Sequence, residues 1–187
     1  MAWAMLLRNH PGRPALGRLN QRCAPQQWRP PDVGVLRINI DGSVNSSTNE
    51  AADRGLIGDS EGRWITGFVR NIGRCSILHA ELWAIMDGLS LAWESGARSF
   101  EIEVDSSEAV RILNCSPKDH EPSIVRRIRH LLKRQWRVRI YCISRERNVI
   151  ADSLALLGRS RRLGLDILRQ PPIGLQLLLD KDTALMV

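Results

Sequence analysis

Two short stretches, RINID (37–41) and FEIEVD (100–105), constrain this chain more than anything else in it. In the first, Ile38 and Ile40 alternate with Arg37, Asn39 and Asp41. That is the two-residue period of a strand with one apolar and one polar face. In the second, Phe100, Ile102 and Val104 alternate with Glu101, Glu103 and Asp105. Both end in an aspartate on the polar face, and turn or capping residues follow at once: Gly42 and Ser43 in one case, Ser106 and Ser107 in the other. Between them, SILHAELWAIMDGLSLAWESG (76–96) sets Leu78, Leu82, Ile85, Leu89 and Ala92 at spacings of three and four. This predicts a long amphipathic helix with Gly96 as its stop. Such a helix is the crossover that two parallel, neighbouring strands require. At a strand spacing of ~4.8 Å, Asp41 and Asp105 would then stand side by side. Two like charges that close raise each other's pKa and cost stability unless a cation lies between them.

The other elements fit around this pair. GLIGD (55–59) and RWITGFV (63–69), joined by a turn with Gly62, predict a hairpin after a polar loop. SSEAVRILN (106–114) predicts a short helix capped by Ser106 or Ser107, and PSIVRRIRHLLKRQW (122–136) a basic helix with Ile124, Ile128, Leu131 and Leu132 inward. RVRIYCI (137–143) predicts a strand, and NVIADSLALLGRS (148–160) a helix with Asn148 as its N-cap. The order β-β-β-α-β-α-α-β-α implies an α/β fold: a mixed sheet with covering helices. Residues 1–34 hold five of the nine prolines and no acid before Asp32. They read as a linker or disordered arm, with an organelle transit peptide as the other reading. Residues 35–160 form the domain. Residues 161–187, with Pro171-Pro172 and a Leu-rich patch, read as a tail that packs loosely on it or pairs outside the chain.

Charge is unevenly distributed. Residues 35–121 carry eight basic and fourteen acidic side chains, net −6, whereas residues 122–144 carry seven Arg or Lys and no acid, net +7. A dense basic segment beside an acidic body suggests a polyanion, most simply nucleic acid. A solvated helix face is the blander reading of each cation singly. No apolar run reaches the ~20 residues of a membrane span, so no membrane partner is expected. Cys23, Cys75, Cys115 and Cys142 form no Cys-x-x-Cys pair. They suggest neither a zinc site nor a disulfide framework, and the expectation is a reducing intracellular compartment.

Two further acids stand out. Glu81 lies in LHAELWAI, a helical stretch with no other charged residue, at the edge of the apolar stripe. Asp152 lies in the first turns of the last predicted helix. Each of the four acids has an ordinary reading. Asp41 can start a turn, Asp105 can cap a helix, Glu81 can sit on a helix surface, and Asp152 can complement a helix dipole.

The segments INIDGSVN, HAELWAIMDGLSLAWESG, IEVDSSEAVRILN and RERNVIADSLALL occur in this order from about Trp28 to Ser160. They resemble the type 1 ribonuclease H family, most closely the short plant domains found in retrotransposon-derived reverse-transcriptase proteins. DSEGRWITGF and AELWAIMDGLSLAWESG are the plant-type segments. The resemblance implies a five-stranded mixed sheet of order 3-2-1-4-5 flanked by helices. It implies that Asp41, Glu81, Asp105 and Asp152 match four metal-binding, catalytic acids. It also implies a metal-dependent endonuclease that cleaves the RNA strand of RNA–DNA hybrids, and a monomer is expected. Oxygen ligands suit two Mg²⁺ or Mn²⁺ ions rather than zinc. Gly42, Ser43, Asn45 and Asn148 match substrate-contacting positions, and the basic stretch 126–139, with Arg126, Arg127, Lys133 and Arg134, would hold phosphates.

The chain departs from the family pattern twice. SRERNVIAD has no histidine before the last acid, and Arg145 is the candidate substitute, although a phosphate contact or a pair with Glu146 is an equal reading. Arg54 stands where related plant sequences carry a small residue. A bulky cation there is expected either to lie at the surface or to distort the sheet. A weakly active or inactive nucleic-acid-binding domain is the alternative function.

Overall fold

In the computed structural model, residues 31–145, 148, 162–172 and 175 are described. The strands are β1 (Leu36–Val44), β2 (Glu50–Gly58), β3 (Trp64–Arg74), β4 (Ser99–Val104), β5 (Arg137–Cys142) and β6 (Gly164–Leu168), and the helices are α1 (Ile77–Glu94), α2 (Ser107–Asn114) and α3 (Ser123–Leu132). They build one six-stranded sheet of order β5-β4-β1-β2-β3-β6. The expected order 3-2-1-4-5 is therefore present, with a sixth strand added beyond β3. β1 runs parallel to β4, and β4 parallel to β5, while β2, β3 and β6 are antiparallel to their neighbours.

Local signals explain most of these elements. Ser76 caps α1 by accepting from the His79 amide, and Gly96, at φ 82°, ends it in the left-handed conformation that glycine adopts without penalty. Ser106 caps α2 by accepting from the Ala109 amide. α3 is shorter than the basic segment suggested. It stops at Leu132, and Trp136 folds back so that its indole N–H donates to the Leu131 carbonyl at 2.9 Å.

The core lies between the sheet and the helices. Ile38, Ile40, Ile57, Phe68, Ile102 and Ile140 from the strands meet Leu82, Ile85 and Leu89 of α1 and Ile128 of α3, all essentially without solvent exposure. At ~25 cal/mol per Å² of apolar surface, burying each such side chain stabilises the fold by about 1.5–3 kcal/mol. On the opposite face, the parallel register sets Arg37 beside Glu101 and Asn39 beside Glu103. Arg37 bonds Glu101 at 3.0 Å, Asn39 donates to Glu103 at 2.7 Å, and Arg139 and Tyr141 reach Glu101 from β5. The polar half of the alternation is thus a cross-strand ladder up to the ends of β1 and β4.

Two expectations need correction. The polar loop before Gly55 is largely strand, because β2 begins at Glu50 and buries Asp53 and Arg54. Two buried charges break the apolar alternation that would have marked it. Residues 164–168 are not a loose tail segment but pair with β3. Their side chains stay mostly exposed, so main-chain bonding at the otherwise open edge of β3 holds them. Among the described residues, Cys75 and Cys115 are free. The predicted helix 148–160 lies outside the described residues except for Asn148. Among the described residues, no helix is long and apolar enough to cross a membrane.

Candidate metal centre

Asp41, Glu81 and Asp105 converge. One carboxylate oxygen from each can be chosen so that all lie within 4.8 Å of one another. The convergence follows from the topology. The β1–β4 register, with Asn39 beside Glu103, carries on to bring Asp41 level with Asp105 just beyond the end of β4. Asp105 precedes the Ser106 cap of α2, so the turn from strand to helix fixes it. Glu81 enters from α1, which crosses β1 very closely at Gly42. A Cβ there would lie 2.3 Å from the Glu81 nitrogen and 2.4 Å from the Ala80 carbonyl carbon. The Gly42 amide donates to Glu81 Oε2 at 3.3 Å. The close approach that glycine permits is therefore, in the first place, the approach of the helix.

The electrostatics are those of a crowded anionic pocket. Asp41 is 2% exposed and Glu81 6%. Burial, then the Asp105 and Asp41 charges, push the Glu81 carboxyl up to about 9; the Gly42 amide and Arg54 oppose this. A divalent cation would offset both repulsions and favour the ionised carboxyl against the desolvation. The donor set is entirely carboxylate oxygen, which suits a hard ion such as Mg²⁺ or Mn²⁺. Asp152, the fourth acid of the expected set, lies outside the described residues.

Arg54 behaves in neither of the ways expected of it. It is 2% exposed, and strand pairing runs regularly across it; the register shifts of β2 fall at Ala51/Ala52 and Ile57/Gly58. Antiparallel pairing places Arg54 directly opposite Asp41, so both side chains rise from one face of the sheet. There its guanidinium forms an ion pair with the Asp41 carboxylate. A second nitrogen donates to Ser43 Oγ at 2.7 Å. The unusual residue type was visible in the sequence; its insertion into the acid cluster depended on the register.

The expected substrate-contacting residues divide by environment. Asn45 shapes the β1–β2 turn, its Oδ1 accepting from the Ser47 and Thr48 amides. Asn148 is buried, and its amide donates to the Ile40 carbonyl at 2.8 Å, tying the segment after β5 to β1 next to Asp41. Arg126, Arg127, Lys133 and Arg145 are exposed. Arg134 and Arg98 both lie over the Trp93 ring, at 4.6 and 4.1 Å. Arg129, within the same basic stretch, is committed internally. It donates to the Ile112, Leu113 and Cys115 carbonyls at the end of α2 and pairs with Glu121.

A second charged cluster, unannounced by the sequence, lies on the α1 side of the sheet. Arg70 on β3 pairs with Asp87 on α1 and lies 3.8 Å from Asp53 on β2. Asp53 has no exposure, and neither of its oxygens has a hydrogen-bond partner among the described residues. Burial and then the Asp87 charge hold its carboxyl well above the usual range. Three charged residues on three different elements carry no signal in local spacing.

Residues 39–158 match the reverse transcriptase-like family. An Arabidopsis thaliana protein named as a ribonuclease H is 36% identical over 185 residues, covering 97% of this chain and 30% of that protein. The chain thus spans about a third of the length of that relative. Among solved structures, the N-terminal ribonuclease H domain of a Mycobacterium tuberculosis protein superposes with a TM-score of 0.58 at 22% identity, covering 64% of this chain and 95% of that one. Ribonuclease H1 of Halobacterium salinarum gives 0.55 at 23%, covering 64% and 93%. The LC11 ribonuclease H1, solved with an RNA/DNA hybrid, gives 0.56 at 24%, covering 64% and 92%. With its strand order, its acid cluster and these likenesses, the chain belongs to the reverse transcriptase-like family, as a ribonuclease H-like domain of the plant type.

Proposed function

We propose that the domain is a metal-dependent endonuclease that cleaves the RNA strand of RNA–DNA hybrids. The convergence of Asp41, Glu81 and Asp105 carries this reading. Two buried acids, Asp41 and Glu81, and the half-buried Asp105 crowd one another from separate parts of the chain, and a fold keeps such an arrangement where a cation completes it. Asp41, Glu81 and Asp105 would hold one ion with Asp41 central, and Asp152 would serve a second. A bound pair of Mg²⁺ or Mn²⁺ ions would supply activation of a water and stabilisation of the leaving 3′ oxygen in an in-line phosphodiester displacement.

The chain's own residues position the substrate. The end of β1, with Gly42 and Ser43, and the β1–β2 turn, with Asn45, border the acids and would approach the sugar, where the 2′-hydroxyl distinguishes RNA from DNA. Arg126, Arg127 and Lys133, all exposed, would contact phosphates together with Arg134 and Arg145. Asn148 acts through Ile40, tying the end of the described chain after β5 to β1 beside Asp41. The solved complex of one structural neighbour with an RNA/DNA hybrid supports this substrate class.

A second reading, a nucleic-acid-binding domain with little or no cleavage, draws support from the Arg54–Asp41 pair, because a cation already contacts the central ligand. A labelled RNA–DNA hybrid incubated with Mg²⁺, with double-stranded RNA and double-stranded DNA as controls, separates the two. Hybrid-selective cleavage that Asp41→Asn abolishes, with hybrid binding retained, supports the nuclease. Binding without cleavage by the wild type supports the second reading. Equal cleavage by both proteins overturns the assignment of the centre.

A further inference from the structure

We infer that Arg54 is a built-in counter-ion of the acid cluster, which a divalent metal must displace from Asp41 before the centre can load. This rests on the metal-site reading above and adds a control on loading. Three observations carry it. Arg54 lies opposite Asp41 in the β1–β2 register, so it reaches the carboxylate from the adjacent strand without disturbing the sheet. Its guanidinium pairs with Asp41 while the same side chain donates to Ser43 Oγ at 2.7 Å, so two contacts hold it in place. It is buried to 2% exposure beside an equally buried Asp41, so little solvent screens the attraction.

A carboxylate oxygen engaged by a guanidinium has fewer lone pairs to give a metal ion. A dication approaching Asp41 also meets a positive charge already beside it. Metal binding therefore carries the cost of breaking a desolvated ion pair, and in the metal-free fold the Asp41 charge is balanced within the cluster. The consequence is a domain stable without metal that loads metal weakly, so its activity follows the free Mg²⁺ concentration over a higher range than the acid cluster alone would set. Ser43 gains a role as the anchor of the second guanidinium nitrogen, which the turn-forming reading of Gly42-Ser43 did not contain.

The test is a Mn²⁺ titration of the purified chain, read calorimetrically and by the electron paramagnetic resonance signal of free Mn²⁺. Wild type, Arg54→Ala, Arg54→Lys and Asp41→Asn are compared in the absence of nucleic acid. Removing the positive charge beside Asp41 is expected to tighten Mn²⁺ binding by about tenfold or more. Arg54→Lys, which loses the two-pronged grip, should fall between. Asp41→Asn should bind weakly. If Arg54→Ala folds only in the presence of Mn²⁺, the counter-ion role is supported directly; if it folds under neither condition, Arg54→Lys decides. Equal affinity in wild type and the folded Arg54 variants overturns the inference while leaving the metal site standing. Absence of Mn²⁺ binding in every protein overturns the metal-site reading itself. Unchanged metal affinity with weaker hybrid binding in chelator identifies Arg54 as a phosphate contact and also overturns the inference.

Discussion

Gly42→Ala is expected to damage the fold and the centre together. The added methyl would sit 2.3 Å from the Glu81 nitrogen, 2.4 Å from the Ala80 carbonyl carbon and 2.7 Å from the Ala80 oxygen. Ordinary carbon contacts lie at ~3.5–4.0 Å, so α1 and β1 must separate by roughly 1 Å. All three atoms are backbone, so no side chain can swing aside. Overpacking of this kind costs about 1–3 kcal/mol, and weakening the Gly42 N–H bond to Glu81 adds about 1 kcal/mol. Urea unfolding should therefore show a loss of about 2–4 kcal/mol with the slope unchanged. Because Glu81 rides on the displaced helix, the remaining folded protein should cleave hybrid about a hundredfold more slowly. Gly88→Ala is the control. Its methyl would meet the Cγ2 atoms of Ile40 and Ile38 at 3.2 and 3.4 Å, side-chain tips that can adjust. A gain of about 1 kcal/mol in helix propensity offsets that crowding, so the net change should stay within about 1 kcal/mol. A Gly42→Ala protein within about 0.5 kcal/mol of wild type, with normal Mn²⁺ affinity, would refute the reasoning that helix approach is what demands glycine there.

The remaining predictions concern charge. Glu81 is raised from 4.5 to about 9, so its contribution to the stability of the metal-free protein is complete below about pH 4.5 and is lost as pH rises toward 9. Melting curves in chelator across that range should fall more steeply for wild type than for Glu81→Gln, and parallel curves would count against it. Asp53 is also raised, so its ionisation opposes folding as pH rises; Asp53→Asn should stabilise the protein at pH 8 by roughly 1 kcal/mol, and a destabilised variant would show that the Arg70 pairing outweighs burial. Arg129→Ala should cost about 2 kcal/mol by uncapping the end of α2, with the salt dependence of hybrid binding unchanged. Lys133→Ala, on the exposed face, should do the reverse, lowering the salt slope by about one with stability intact.

Local periodicity and capping specify part of this fold without any help from tertiary contacts. The alternation in β1 and β4, the three-and-four spacing in α1, and the Ser76, Gly96 and Ser106 signals specified those elements. The crossover helix between matching strands brought Asp41 and Asp105 together on paper, and the register agrees. What the chain did not show locally is what depends on residues distant in sequence. β6 is held by the open edge of β3 rather than by its own side chains. The start of β2 hides behind Asp53 and Arg54, whose charges look like a loop until their partners arrive from other strands. Arg129 is indistinguishable by composition from the exposed arginines beside it, and only the packing of α3 against α2 commits it. Arg54 is the sharpest case. Its residue type is legible from the chain, but whether it faces solvent or Asp41 is a matter of strand register. A shift of one residue would turn its side chain to the opposite face of the sheet.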